Sequence, residues 1–180
     1  VTVTTRDIDP TELPTLLAMN NAAIPAVNLL DSDSLLDLVS LAHAAVVVVD
    51  DDDPARPLGL VVTLTAGNDY ESENYRWFVE RGGDFLYVDR IVIAEGVRGQ
   101  GLGQILYERV FAEAELAGLT EVTCEVNLDP PNPGSLAFHD RLGFVQIGEQ
   151  VTKGGAVRVA LLSAPVVSAS ALPEPRPEPV

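Results

Sequence analysis

The stretch Val88-Asp89-Arg90-Ile91-Val92-Ile93, rich in β-branched residues, runs toward Arg98-Gly99-Gln100-Gly101-Leu102-Gly103, where an amphipathic helix opens. A glycine-rich turn between a strand and a helix constrains the fold strongly. It also makes an anion site. Successive backbone N–H groups converge on a ligand only where no Cβ intervenes, and the first N–H groups of a helix lack intrahelical partners and carry the positive end of its dipole. Such a turn binds phosphate without a lysine.

Spacing narrows the ligand. A dinucleotide fingerprint wants a third glycine three residues after Gly103, where Leu106 stands. A nucleoside triphosphate loop wants four residues between its glycines, then Lys and Ser or Thr, and the chain has neither. What remains is Arg-x-x-Gly-x-Gly from Arg98 to Gly103 behind an apolar strand. Downstream, Thr120 to Asn127 reads as a second strand. A proline-containing loop then leads into Asn132-Pro133-Gly134-Ser135-Leu136-Ala137-Phe138-His139-Asp140-Arg141-Leu142-Gly143-Phe144.

These two segments together resemble the coenzyme A motifs of the GCN5-related N-acetyltransferase (GNAT) superfamily. The likeness is good over roughly residues 84 to 150 and elsewhere lies in the order of elements. It implies a mixed, strongly twisted α/β (α+β) sheet of about seven strands, flanked by about four helices, with a splayed central strand pair.

At 180 residues the chain is long enough for one self-sufficient core. Residues 1–162 are expected to form that domain, and residues 163–180, Ala/Ser/Pro-rich and ending Pro-Glu-Pro-Arg-Pro-Glu-Pro, a tail that builds no core. No apolar run approaches the ~20 residues of a membrane span, and no basic-then-apolar leader is visible, so a cytoplasmic location is expected. The formal net charge of −16, from 27 acidic against 11 basic residues, argues against nucleic acid as a partner. It also means that a polyanionic cofactor must be held by local groups against the global field. Cys124, the only cysteine, is expected to be a small buried residue. The aspartates from Asp50 to Asp53 are expected at a solvated turn rather than around a metal.

Further elements follow from periodicity. Strands are expected at Val1 to Thr5, Ala45 to Val49, Leu58 to Ala66, Asp84 to Ala94 and Ala156 to Leu162, with a further one up to Gln150. Helices are expected from Asp9 to about Ala23, after the Asp31-Ser32 cap, and from Gly101 to Gly118. Gly67 to Gly83 is expected as a long loop with one helical turn docking Tyr75, Phe78 and Val79, while Tyr70 and Trp77 face elsewhere. It is either a lid over an acceptor, with Glu71 and Glu73 suited to a cationic amine, or a cover for a sheet face.

The resemblance implies acetyl-coenzyme A as cofactor and direct attack by an amine on its thioester, without an acyl-enzyme. It places backbone donors around Ile91, Val92 and Ile93. The pyrophosphate falls on Arg98, Gly99, Gln100, Gly101, Leu102 and Gly103, with Arg98 and Arg141 for outer phosphates. Asn127, Asn132, Ser135 and Phe138 join the cofactor side, though Asn127 equally suits a turn before Asp129-Pro130. Relatives carry tyrosine as the thiolate's proton donor where this chain has His139, so His139 is expected either to donate or to be a packed histidine. Asp89 and Glu125 are candidates for the base, unless they are ion-pair partners, for example of Arg90. Tyr70, Trp77 and Tyr87 are the candidates for the acceptor side, and the resemblance has the acceptor enter on the side of the 67–83 loop, opposite the first two helices and their Asn20-Asn21 linker region. The acceptor is a small-molecule or protein amine of unspecified identity, and a homodimer is compatible with the family. Two alternatives stand beside this: a coenzyme A-binding sensor or interaction protein without turnover, and transfer of an acyl group longer than acetyl.

Overall fold

The computed structural model describes residues 2–167. Strand β1 (Val3–Asp7) is followed by helices α1 (Leu13–Ala22) and α2 (Ser32–Leu41), then by the hairpin of β2 (Ala44–Asp50) and β3 (Asp53–Thr65). Helix α3 (Glu73–Arg81) precedes β4 (Phe85–Ile93), α4 (Leu102–Leu116) and β5 (Glu121–Asp129). Helix α5 (Pro133–Arg141), β6 (Val145–Thr152) and β7 (Val157–Pro165) complete it. The strands form one seven-stranded sheet in the order β1-β2-β3-β4-β5-β7-β6. All neighbours are antiparallel except β4 and β5. This is the mixed α/β architecture expected, with one more helix.

That helix replaces the expected 67–83 loop. The Ser72 hydroxyl accepts from the Tyr75 N–H at its start, and Gly82, at φ +79, closes its end with N–H bonds to Phe78 and Val79. Tyr75 and Phe78 are buried as their spacing predicts, but Val79 is 40 % exposed, so it does not dock. Asn20 and Asn21 lie inside α1 rather than in a linker.

Two cores flank the sheet. Leu102, Leu106, Tyr107 and Val110 of α4 pack with Phe138 and Leu142 of the α5 region on one face. On the other, Leu16 of α1, Leu35 and Leu38 of α2, and Tyr75 and Phe78 of α3 cluster together. Helix α3 therefore shares a face with the first two helices instead of lying opposite them. Strand β7 continues three residues past the expected end, to Pro165, because Ser163, Ala164 and Pro165 stay paired with Thr123, Val122 and Glu121 of β5, so these residues of the expected tail join the sheet and Ala164 its core. The rest of the expected tail, residues 168–180, lies outside the described residues.

Two irregularities shape the centre. Strands β4 and β5 pair only at Phe85 with Glu121, Leu86 with Val122, and Tyr87 with Thr123. Beyond Tyr87 they part, as the splay expected of this sheet requires. In the β3–β4 ladder Arg90 faces Val62 while Val88 faces the next residue, Thr63, so Asp89 is the extra residue of a bulge. The bulge breaks the period of two. Asp89 and Arg90 consequently bond to the segments around Tyr70 and Asn20, on the face of α1 to α3.

Candidate active site

The turn after β4 has the backbone its glycines demand. Gly99 and Gly101 sit at φ +78 and +81, conformations that L side chains rarely adopt. The hydrogen-bond ladder of α4 begins when the Gln104 and Ile105 N–H groups both bond to the Gly101 carbonyl, at 3.0 and 3.2 Å. The N–H groups of Leu102 and Gly103 precede that ladder and stand at its positive end. Gly103 serves a different purpose from its neighbours. A Cβ there would come within 3.1 Å of Phe138 Cζ, so its missing side chain lets α5 approach α4.

The turn forms one end of a cavity of about 1370 Å³ that opens where β4 and β5 diverge. Ile91, Val92 and Ile93 line one wall, and Arg98, Gly99, Gly101, Leu102 and Gly103 the end at the glycine turn; Gln100 is exposed and not part of the lining. Arg98 also lies across the turn, its Nε donating to the Ile93 carbonyl at 3.3 Å. Asn127, Asn132, Ser135, Phe138 and Arg141 line the opposite wall. The Asn132 side chain caps α5 by accepting from the Ser135 N–H, and the Asn127 amide donates to the Pro25 carbonyl at 3.3 Å.

Two carboxylates reach the cavity from the parted strands, and their environments differ. Asp89 has both oxygens engaged: Tyr70 donates to Oδ1 at 2.6 Å and Arg90 Nε to Oδ2 at 2.8 Å, with both ion-pair side chains about 5 % exposed or less. Arg90 also donates to Asn20 Oδ1. Burial works to lower the Arg90 pKa, but Asp89 outweighs it and holds the guanidinium above its ordinary range. Glu125, by contrast, accepts from the Tyr87 hydroxyl at 2.8 Å and otherwise faces the cavity. Burial first and the nearby Asp89 charge second push its carboxyl up to about 8, against the pull of the Tyr87 and Asn74 side chains. Of the two carboxylates, Glu125 has the raised proton affinity. Asp89 is the partner of Arg90.

His139 is 3 % exposed, and both ring nitrogens are occupied. Nδ1 lies 2.8 Å from the Ser135 carbonyl, an atom that can only accept, so Nδ1 carries the hydrogen. Nε2 lies 2.7 Å from the Tyr107 hydroxyl. Burial lowers the pKa of the ring and outweighs the Ser135 bond that would raise it, which favours the neutral imidazole. Nε2 is then an acceptor, and the one ring hydrogen, on Nδ1, is committed to the Ser135 carbonyl.

The acceptor side departs most from expectation. Tyr70 lines the cavity, but Tyr87 is fully buried and meets it only through Glu125. Trp77 is not in the lining at all. It stacks edge-on against Phe78 and covers Gly148, where a Cβ would meet Trp77 Cζ2 at 2.9 Å. Across the mouth, Lys153 ties three segments together: its Nζ donates to Asn28 Oδ1 at 2.5 Å, and its backbone N–H to Glu73 at 3.1 Å. Glu71 lies on the same rim, loosely paired with Arg76. Lys153, Asn20 and Tyr107 were not identifiable as site residues from spacing. Cys124 is buried as expected, and burial pushes its thiol far up. Among the described residues no cluster suited to a metal and no helix long and apolar enough to cross a membrane occurs.

With this geometry in view, comparison with known proteins is specific at the level of family. The model of the acetyltransferase (GNAT) family matches residues 21–144. Among solved structures, the ribosomal-protein-S18-alanine N-acetyltransferase from Escherichia coli superposes with a TM-score of 0.70 at 16% identity, over 95% of this chain and 99% of that one. Arabidopsis thaliana NAA60, solved with acetyl-CoA, gives 0.72 at 18% identity over 92% and 99%. An N-acetyltransferase from Staphylococcus aureus gives 0.69 at 16% identity over 93% and 100%. No curated protein matches the sequence.

Proposed function

Because the chain belongs to the acetyltransferase (GNAT) family, we propose that it is an acetyl-coenzyme A-dependent N-acetyltransferase acting on an amine in a ternary complex. The cofactor supplies an acetyl thioester. The observation that carries the proposal is the joining, in one cavity, of a glycine-turn anion site at the start of α4 with a carboxyl of raised proton affinity in the gap between β4 and β5. The residues fit the cofactor. Gly99 and Gly101 leave the backbone of the turn uncovered, and the Leu102 and Gly103 N–H groups at the helix start are suited to the pyrophosphate. Arg98 and Arg141 lie on the rim for outer phosphates, and the parted walls of Ile91 to Ile93 and Asn127 leave a slot for the pantetheine arm.

Glu125 takes the proton that the attacking nitrogen gives up. A carboxyl near 8 is matched to that task, since it is partly ionised at neutral pH and holds the proton once it is transferred. Asp89 keeps Arg90 and Tyr70 in place and adds negative charge beside Glu125. With Glu71 and Glu73 on the rim, the acceptor end of the cavity favours a cationic amine.

The test is calorimetric titration with acetyl-coenzyme A, followed by release of free thiol across a broad panel of small amines, amino acids and peptides. Tight binding without thiol release above background on any acceptor would replace the enzyme by a cofactor-binding sensor. Mass spectrometry of co-purified cofactor would expose an acyl group longer than acetyl.

A further inference from the structure

We propose that Tyr107, rather than His139, is the group that protonates the departing sulfur, with His139 as its positioning residue. The proposal rests on the reading that the cavity holds acetyl-coenzyme A. Tyr107 projects from α4 and His139 from α5, and their polar atoms meet at 2.7 Å. The Ser135 carbonyl fixes the hydrogen of the imidazole on Nδ1, so the hydrogen shared at Nε2 belongs to the Tyr107 hydroxyl. The mobile proton of the pair is therefore phenolic.

The phenol is placed to use it. Tyr107 is 1 % exposed, yet it lines the cavity beside Cys124 and Glu125, on the wall formed by α4. Its ring is clamped by His139 and Phe144 edge-on and by Phe138 and Phe111 at a tilt, with centroids 5.2 to 6.3 Å apart across the cluster. A phenylalanine would fill that cage as well, so packing alone does not call for a hydroxyl here. Burial holds the phenol well above its ordinary range, so the hydroxyl keeps its hydrogen at neutral pH and has it to donate.

The protons balance. As the acceptor nitrogen bonds to the acyl carbon, the carbon–sulfur bond breaks and its electron pair goes to sulfur. Tyr107 turns its O–H from His139 Nε2 toward that sulfur and gives up the proton. Glu125 receives the proton released by the nitrogen, and this proton restores the Tyr107 hydroxyl, so the protein ends in its starting state.

The test needs no acceptor. With coenzyme A bound as the free thiol, the ultraviolet absorbance of the thiolate is followed against pH in the wild type, Tyr107→Phe and His139→Phe. A hydroxyl donating to the thiolate stabilises it, so Tyr107→Phe should raise the apparent pKa of the bound thiol by about one unit or more, with affinity for coenzyme A held within about twofold. His139→Phe keeps the hydroxyl and should shift it less. Superimposable titrations for wild type and Tyr107→Phe, or a shift in His139→Phe alone, would overturn the assignment. If Tyr107→Phe does not fold, 3-fluorotyrosine at position 107, which acidifies the phenol and keeps the ring, should lower the thiol's apparent pKa, and an unchanged value overturns it. Failure of the wild type to bind coenzyme A at all would remove the functional reading itself, whereas binding with an unchanged titration removes only the role of Tyr107.

Discussion

The Tyr87 hydroxyl donates to Glu125 at 2.8 Å immediately beyond the last paired position of β4 and β5, Tyr87 with Thr123. The bond anchors one carboxyl oxygen of a residue that lines the cavity. It does not make the site polar enough to ionise Glu125 easily, since burial and Asp89 still hold the carboxyl near 8.

A pH dependence follows with a definite sign. Between the ordinary carboxyl value of 4.5 and about 8, the native state keeps a proton on Glu125 that the unfolded chain has released. Its contribution to stability is fully present below that window, falls as pH rises through it by at most about 1.4 kcal/mol per pH unit, and levels off above it. Denaturant unfolding of Glu125→Gln should lack this component of the slope. In the wild type, kcat/KM should rise with pH to a plateau with an apparent midpoint near 8, and Glu125→Gln should lose about 10²-fold or more in turnover. A profile flat from pH 6 to 9 would remove Glu125 as the base.

Asp89 should matter to stability through its ion pair with Arg90. Replacing it with Ala leaves the Arg90 guanidinium, itself 5 % exposed, without its ion partner, at a cost of about 3–5 kcal/mol. The loss should appear in equilibrium unfolding at neutral pH. A change below about 1 kcal/mol would mean that Arg90 finds another partner and that Asp89 is free for chemistry.

Gly101 and Gly103 should separate ligand binding from packing. Gly101→Val forces a β-branched residue to φ +81 at the head of α4, distorting the turn, so affinity for acetyl-coenzyme A should fall by about tenfold or more in calorimetric titration. Gly103→Ala sets a methyl 3.1 Å from Phe138 Cζ, a contact that Phe138 must yield to, whereas a bulkier Gly103→Val should cost about 1–3 kcal/mol of stability. Unchanged affinity in the Gly101 variant would move the pyrophosphate elsewhere.

The glycine turn before α4 and the capped start of α5 were legible because their information is local: glycine spacing, a preceding apolar strand, and a capping Asn132 three residues before Ser135. The gap between β4 and β5 came with the family pattern. The Arg90–Asn20 contact was not legible, since a period of two sends Arg90 to the other face and only the bulge at Asp89 reverses it. The Tyr107–His139 bond joins side chains 32 positions apart on two helices, and nothing in either helix alone announces it. Helix α3 did have signals, Ser72 as cap and Gly82 as stop. The glycines and polar residues around it gave the segment the look of a loop.

Whether α3 is a lid or part of the core can be decided by Phe78. A lid closes over a ligand and opens again, so its apolar residues must tolerate exposure without unfolding the domain. Phe78 is 0 % exposed and sits 5.7 and 6.0 Å, centroid to centroid, from Tyr87 and Phe85 of β4, while Tyr75 seals the same cluster and donates from its hydroxyl to the Thr65 carbonyl. Opening α3 would expose that whole cluster. Phe78→Ala should therefore cost about 3–5 kcal/mol in equilibrium unfolding, with the slope against denaturant unchanged. Tyr70→Phe, outside the cluster's centre but bonded to the buried Asp89 carboxylate, should cost less, about 1.5–3 kcal/mol, and alter the Michaelis constant for the acceptor. Near-wild-type stability of Phe78→Ala together with a raised acceptor constant would restore the lid.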